Sequence, residues 1–158
     1  MRDYRADDLE ALVAINDGAY PAVPITPIEE FAALGAMSAR VLVVDDGAPA
    51  GFLLVMNPGL DYASENYQWF SARSSDFFYI DRIVLAPRVQ RGGIGRELYE
   101  AAFDAARARG ATELTAEVNL EPPNPGSLLF HARMGFKRVG EQPTKGGDVV
   151  VALLAAPV

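Results

Sequence analysis

Apolar positions at Leu9, Leu12, Val13 and Ile15 recur close to the helical period and predict a helix over residues 3–16, starting near Asp7. The pattern weakens at Asn16-Asp17-Gly18, and a loop with Pro21, Pro24 and Pro27 follows. Residues 28–37 predict a second helix, with Thr26 as N-cap, Pro27 at the first helical position and Glu29 completing a capping box. The pattern then changes to strand. Residues 40–44 are apolar after Arg40, Asp45-Asp46-Gly47-Ala48-Pro49 turns the chain, and residues 50–56 return it as an antiparallel hairpin. Residues 60–76 fit no regular period. They mix Tyr62, Tyr67, Trp69 and Phe70 with Asp61, Glu65, Asn66 and Gln68, and long irregular loops are often functional.

Residues 77–85 form a strong strand signal, ended by Pro87. From Gly93 to Arg109 the pattern is helical, with Ile94, Leu98, Ala101, Ala102, Ala105 and Ala106 on one side and Gly110 as C-cap. Residues 114–119 predict a short strand and 127–134 a short helix stopped by Gly135. Two last strands, 137–141 and 148–154, are split by Pro143-Thr144-Lys145-Gly146-Gly147. The order α-α-β-β-β-α-β-α-β-β predicts an α/β (α+β) sheet with helical cover. No linker, repeat or low-complexity tract interrupts it, so the reading is a single domain over residues 1–158.

Composition narrows the chemistry. The chain has no cysteine, which excludes a disulfide scaffold, a zinc-thiolate centre and a cysteine nucleophile. A single histidine excludes metal sites built on two or three imidazoles, no EF-hand spacing occurs, and no metal is expected. Lys plus Arg number 14 against 21 Asp plus Glu, a formal charge of -7, which argues against a nucleic-acid partner. The N-terminal MRDYRADDLE carries acids where a signal peptide needs an apolar run, and nothing approaches a membrane span. The expectation is a cytoplasmic protein with no membrane partner.

The stretch Gln90-Arg91-Gly92-Gly93-Ile94-Gly95-Arg96 lies between the strong strand and the strong helix. Three glycines in four residues let backbone approach a ligand closely, and the first-turn N–H groups of the helix suit a phosphate. Arg88, Arg91 and Arg96 add local positive charge. A P-loop needs Lys-Ser or Lys-Thr after the glycines, where Arg96-Glu97 stands, and a dinucleotide fingerprint needs a third glycine where Leu98 stands. A glycine-softened loop that binds nothing stays open on these residues alone.

Residues 90–95 match the (Arg/Gln)-x-x-Gly-x-(Gly/Ala) signature of the GCN5-related N-acetyltransferases. The preceding Ile83-Val84-Leu85-Ala86-Pro87 and the later Asn124 with Ser127-Leu128-Leu129-Phe130-His131-Ala132-Arg133-Met134-Gly135-Phe136 resemble that family in context. The resemblance covers almost the whole chain. It implies a mixed, mostly antiparallel central sheet of six to seven strands, split at the cofactor site, with four main helices. It implies acetyl-CoA as cofactor, with main-chain groups of Ile83 and Leu85 on pantetheine and N–H groups of Arg91, Gly93, Gly95 and Arg96 on pyrophosphate. Val84, Gln90, Gly92, Ile94, Asn124, Ser127, Phe130 and Arg133 complete the implied cofactor set, with Asn124 either binding the cofactor or ordering its loop. Ser127 stands where alanine is usual, and its hydroxyl either caps the helix or reaches the cofactor.

The implied reaction is attack of a primary amine of a small molecule or peptide on a thioester. It needs an amine without its extra proton, a donor for developing negative charge and a proton for the leaving thiolate. Without cysteine, direct transfer in a ternary complex is the simpler route. His131 stands where many family members carry a tyrosine that protonates the thiolate, and its alternative role is packing or cofactor contact. Asp81 is the first candidate base, its alternative being an ion pair with Arg82 or with a neighbouring arginine, and Glu117 is the second. The acceptor is expected at residues 16–26 and 57–76, with Tyr20, Tyr67 and Trp69 as aromatic candidates and Asp61 and Glu65 as acidic ones, or with the aromatics merely packing the loop. A homodimer is compatible with the resemblance, and a catalytically silent CoA-binding module is the alternative function.

Overall fold

A computed structural model describes residues 1–158 and shows where these patterns become elements. Seven strands form one sheet: β1 (Arg2–Asp3), β2 (Arg40–Asp45), β3 (Pro49–Met56), β4 (Phe78–Leu85), β5 (Glu113–Glu121), β6 (Lys137–Thr144) and β7 (Val149–Pro157). Their order is β1-β2-β3-β4-β5-β7-β6. β1 with β2, β2 with β3, β5 with β7 and β6 with β7 pair antiparallel. β4 pairs with β5 in parallel, Phe78 opposite Leu114 and Tyr79 opposite Thr115. The helices are α1 (Leu9–Asp17), α2 (Ile28–Met37), α3 (Glu65–Arg73), α4 (Ile94–Ala108) and α5 (Pro125–Arg133). The mixed, mostly antiparallel sheet agrees with the expected class, and the helices number five rather than four.

The chain divides into two compact units, residues 1–56 with 81–100, and residues 57–80 with 101–158. In the first, α1 and α2 contribute Leu12, Phe31 and Leu34 to a core with the buried residues of the β2–β3 hairpin. Phe31 meets Phe52 edge-on at 5.2 Å. In the second, Tyr67 and Phe70 of α3 pack on Phe77 and Tyr79, with ring centroids 5.4–6.2 Å apart.

Three expectations change. The predicted helix over 3–16 is instead β1, a 3-10 turn at Ala6–Asp8, and α1. Arg2 causes the break: its two terminal nitrogens each reach Asp8 at 2.7 Å, and its Nε reaches Asp45 at 2.7 Å. That pins the N-terminal residues to the sheet edge, where the Tyr4 N–H donates to the Val41 carbonyl. At α2 the N-cap is Pro27, not Thr26, and no side chain caps it. Thr26 Oγ1 donates to the Pro24 carbonyl and accepts from Arg82, which leaves it no cap role. Residues 60–76, without a regular assignment from pattern, hold α3, opened by Ser64, whose hydroxyl accepts the Tyr67 N–H at 3.3 Å. No helix is long and apolar enough to cross a membrane.

Candidate active site

The glycine turn leaves β4 through a short 3-10 segment, Pro87–Val89. Arg91 has φ 65 and Gly93 φ 85, both left-handed. The Glu97 N–H donates to the Gly93 carbonyl at 3.1 Å, the first helical bond of α4, so Gly93 is the N-cap residue. A glycine has no side chain with which to cap. The N–H groups of Ile94, Gly95 and Arg96 therefore have no acceptor within the helix and point outward at its positive end. A Cβ built on Gly93 meets nothing within 4 Å, so the space there is open. Backbone donors, positive dipole end and open approach together fit a phosphate group.

The arginines around the turn are less free than their number implies. Arg88 holds Asp46 at 2.9 and 3.2 Å and the Pro49 carbonyl at 2.9 Å. Arg96 holds Glu100 at 2.7 Å. Each carboxylate raises the pKa of the arginine that it accepts from. Arg91 makes no ion pair and stands exposed at the turn.

Behind the turn, the Gln90 side-chain amide donates to the Leu85 carbonyl at 2.8 Å. The Ala86 N–H donates to the Ala50 carbonyl at 2.8 Å. A cavity of about 310 Å³ opens here, between Ala14, Ile15, Gly18 and Ala19 on one side and residues 84–87 with Gln90 on the other. β4 is pressed against β3: a Cβ on Gly51 would lie 2.6 Å from Leu85 Cδ2 and 2.7 Å from the Val84 oxygen.

Two residues before Val84, the strand carries a buried ion pair. Arg82 Nε donates to Asp81 Oδ2 at 2.8 Å, with side chains 8% and 4% exposed. One terminal nitrogen of Arg82 also donates to Asn16 Oδ1 and Thr26 Oγ1, both at 3.0 Å. Asp81 is thus held by the arginine that the sequence offered as its alternative partner. Ile83 is half-buried and Val84 buried.

In the second unit, Asn124 is the N-cap of α5, its Oδ1 accepting the Ser127 N–H at 3.2 Å, with Pro125 following at the first turn. The cap role left open for Ser127 thus belongs to Asn124. The buried His131 sets Nδ1 2.8 Å from the Ser127 carbonyl and 3.3 Å from its hydroxyl. A carbonyl only accepts, so Nδ1 carries the proton and donates it. Burial lowers the pKa of His131 below its ordinary 6.5, opposed by this hydrogen bond. Its ring meets Phe136 edge-on at 5.2 Å. Phe130 is half-buried and Arg133 exposed. On β5, Glu117 Oε2 accepts the Tyr79 hydroxyl at 2.8 Å.

The model of the acetyltransferase (GNAT) family matches residues 9–136. The chain belongs to that family. It is 31% identical over 102 residues to an aminoglycoside N(6')-acetyltransferase type 1 of Klebsiella aerogenes, covering 64% of this chain and 60% of that protein. The chain thus spans about 60% of the length of this curated relative. In fold it is similar to Ard1 of Thermoplasma volcanium, with TM-score 0.78 and 17% identity over 99% of this chain and 95% of the other. It is also similar to yncA of Salmonella typhimurium, solved with its cofactor acetyl-CoA, with TM-score 0.71 and 18% identity over 99% and 91%.

Within this GNAT chain the aromatic candidates separate. Tyr20 is 65% exposed. Tyr67 is buried, its hydroxyl donating to the Asn57 carbonyl at 2.7 Å and accepting the Leu60 N–H at 2.9 Å. Trp69 lies over Gly140 and against Phe70. Tyr67 and Trp69 therefore pack, as the alternative reading had it. Glu65 accepts the Lys145 N–H at 3.0 Å, and Asp61 is exposed. Sequence reasoning missed the Arg82–Asn16–Thr26 network and the Tyr79–Glu117 bond. Both join residues far apart in the chain, and no local pattern signals them.

Proposed function

We propose that this protein is an N-acetyltransferase that moves an acetyl group from acetyl-CoA to a primary amine of a small molecule or peptide, by direct transfer in a ternary complex. The carrying observation is the uncapped N-terminus of α4, where Gly93 turns with φ 85 and leaves open space before three outward N–H groups. In a GNAT chain this is the feature that fits a pyrophosphate. Main-chain N–H groups of Arg91, Gly93, Gly95 and Arg96 would hold it, with Gln90, Gly92 and Ile94 shaping the turn. Main-chain groups of Ile83 and Leu85 would receive the uncharged arm, beside Val84. The resemblance also names Ser127, Phe130 and Arg133 toward the cofactor; Asn124, which it names with them, is already engaged as the cap of α5 and orders that loop instead. When bound, the cofactor supplies the activated acyl group.

For the chemistry, Asp81 is the candidate base and His131 the candidate proton donor. Two observations oppose those roles: the Arg82 guanidinium already occupies the Asp81 carboxylate, and burial favours the neutral imidazole of His131. These two observations favour a second reading, a CoA-binding module without turnover. The test is calorimetry with CoA, then thiol release from acetyl-CoA over a panel of amines that includes an aminoglycoside. Binding with turnover of at least one amine supports the enzyme. Binding with no turnover favours the silent module, and absence of CoA binding overturns both. The acceptor class, action in the cytoplasm as one domain over residues 1–158, and assembly as a homodimer belong to the same proposal.

A further inference from the structure

The cavity in the first unit has two walls. One is the C-terminal turn of α1 and the residues after it, Ala14, Ile15, Gly18 and Ala19; the other is the end of β4 and Gln90. The β4 wall is fixed from behind, because Leu85 already fills the space a side chain at Gly51 would need, and the Ala86 N–H is bonded to β3. The α1 wall is fixed by a different device. Asn16, next to Ile15, is fully buried, and its Oδ1 accepts from Arg82, two residues before Val84. The same guanidinium nitrogen donates to Thr26. Asn16 Nδ2 donates to the Pro24 carbonyl at 2.9 Å and to Asp17 Oδ1 at 3.0 Å, and Asp17 Oδ1 also accepts the Thr26 N–H at 3.1 Å. One buried cation, balanced by Asp81, thus ties the end of α1 and both ends of the loop that follows it to β4.

We propose that Arg82 is a positioning residue for the acyl donor: through Asn16 and Thr26 it sets the distance between α1 and β4, and so the width of a cavity that takes the uncharged amide arm of acyl-CoA. This rests on the acetyl-CoA reading above. The occupant follows from chain order and chemistry. The β4 wall runs directly into the glycine turn, so a ligand with its anionic group on the turn brings its adjoining neutral portion to this cavity. The small walls Ala14, Gly18, Ala19 and Ala86 admit a slender uncharged chain. The Gln90 amide and the Leu85 carbonyl are bonded to each other, and the second N–H of the one and the second lone pair of the other can still serve ligand amides. Lysine at 82 keeps the charge that balances Asp81, but one ammonium does not reproduce the planar fork that reaches Asp81, Asn16 and Thr26 together.

The experiment measures CoA affinity by calorimetry, with donor and acceptor KM and kcat, for the wild type, Arg82→Lys and Ala14→Leu. Ala14 is exposed, so leucine there narrows the cavity without entering the core. Both variants should bind CoA about tenfold more weakly, with donor KM raised and acceptor KM within about twofold. Wild-type protein that binds no CoA overturns the acetyl-CoA reading, and this proposal falls with it. Wild-type binding matched by both folded variants overturns the Arg82 proposal alone. Raised acceptor KM with intact CoA affinity overturns the donor assignment. If Arg82→Lys does not fold, Thr26→Val removes one partner of Arg82, and unchanged CoA affinity in that variant overturns the proposal.

Discussion

Two helices of this protein begin after loops that the sequence marks as ligand candidates, and they begin differently. α5 is closed. Asn124 accepts an N–H of the first turn, and Pro125 has no N–H to satisfy. α4 is open. Its N-cap is a glycine in the left-handed region, and its first N–H groups have neither side-chain cap nor proline to answer them. Both loops resemble cofactor-binding stretches of the family, yet α5 already commits a first-turn N–H to its cap and lacks another at Pro125, whereas α4 commits none. A motif names a place on the chain; the cap residue tells whether the helix end there is already satisfied.

The largest expected effect breaks the open end. Gly93→Val puts a β-branched residue at φ 85, which L-residues avoid, and adds bulk in the space before the N–H groups. CoA affinity should fall by about 100-fold, equal to about 2.7 kcal/mol, as read by calorimetry. Retained affinity would show that the ligand does not use this terminus. The closed end should respond in the opposite property. Asn124→Ala removes a side-chain cap and should cost about 1 kcal/mol of stability. Thermal denaturation should show Tm lowered by roughly 2–4 °C. CoA affinity should change by less than about threefold, because the Asn124 oxygen already serves Ser127. A loss of affinity larger than the loss of stability would make Asn124 a cofactor ligand and erase the contrast.

Much of this was legible in the sequence where period and punctuation agree. The hairpin of β2 and β3, the strand β4, the long amphipathic α4 and the glycine stop at Gly110 all follow from local pattern. α3 was not legible because it buries Tyr67 and Phe70 on one narrow face and carries Asn66, Gln68, Ser71 and Arg73 elsewhere. Nine residues with so thin a stripe look like a polar loop. The N-terminal strand was hidden because Arg2 acts through Asp8 and Asp45, one of them 43 positions away. At the site, the turn was readable from glycine spacing. The fates of Thr26 and Arg88 were not, since each depends on which distant partner the fold brings within 3 Å. Arg82 itself was visible only as a neighbour of Asp81, and its reach to Asn16 spans 66 positions.

The smallest expected effect concerns His131, which belongs to the closed helix and ties its Nδ1–H to the Ser127 carbonyl one turn back. Burial lowers its pKa in the folded chain below 6.5, so between the two pKa values the unfolded state binds the extra proton and the folded state does not. Its contribution to stability is therefore fully present above about pH 6.5 and is lost as pH falls toward the folded value. The carboxylates of Asp8, Asp45 and Asp46, lowered by their arginine partners, add losses of the same sign only below about pH 4. Tm measured from pH 7.5 to 5.0 should thus decline in the wild type, and the decline should flatten in His131→Gln, which keeps a donor for the Ser127 carbonyl. An equal decline in both would assign the acid sensitivity elsewhere. The same pair of proteins separates packing from chemistry. A neutral, buried imidazole that packs leaves kcat with the same pH profile after substitution. A proton donor to the leaving thiolate takes one limb of that profile with it.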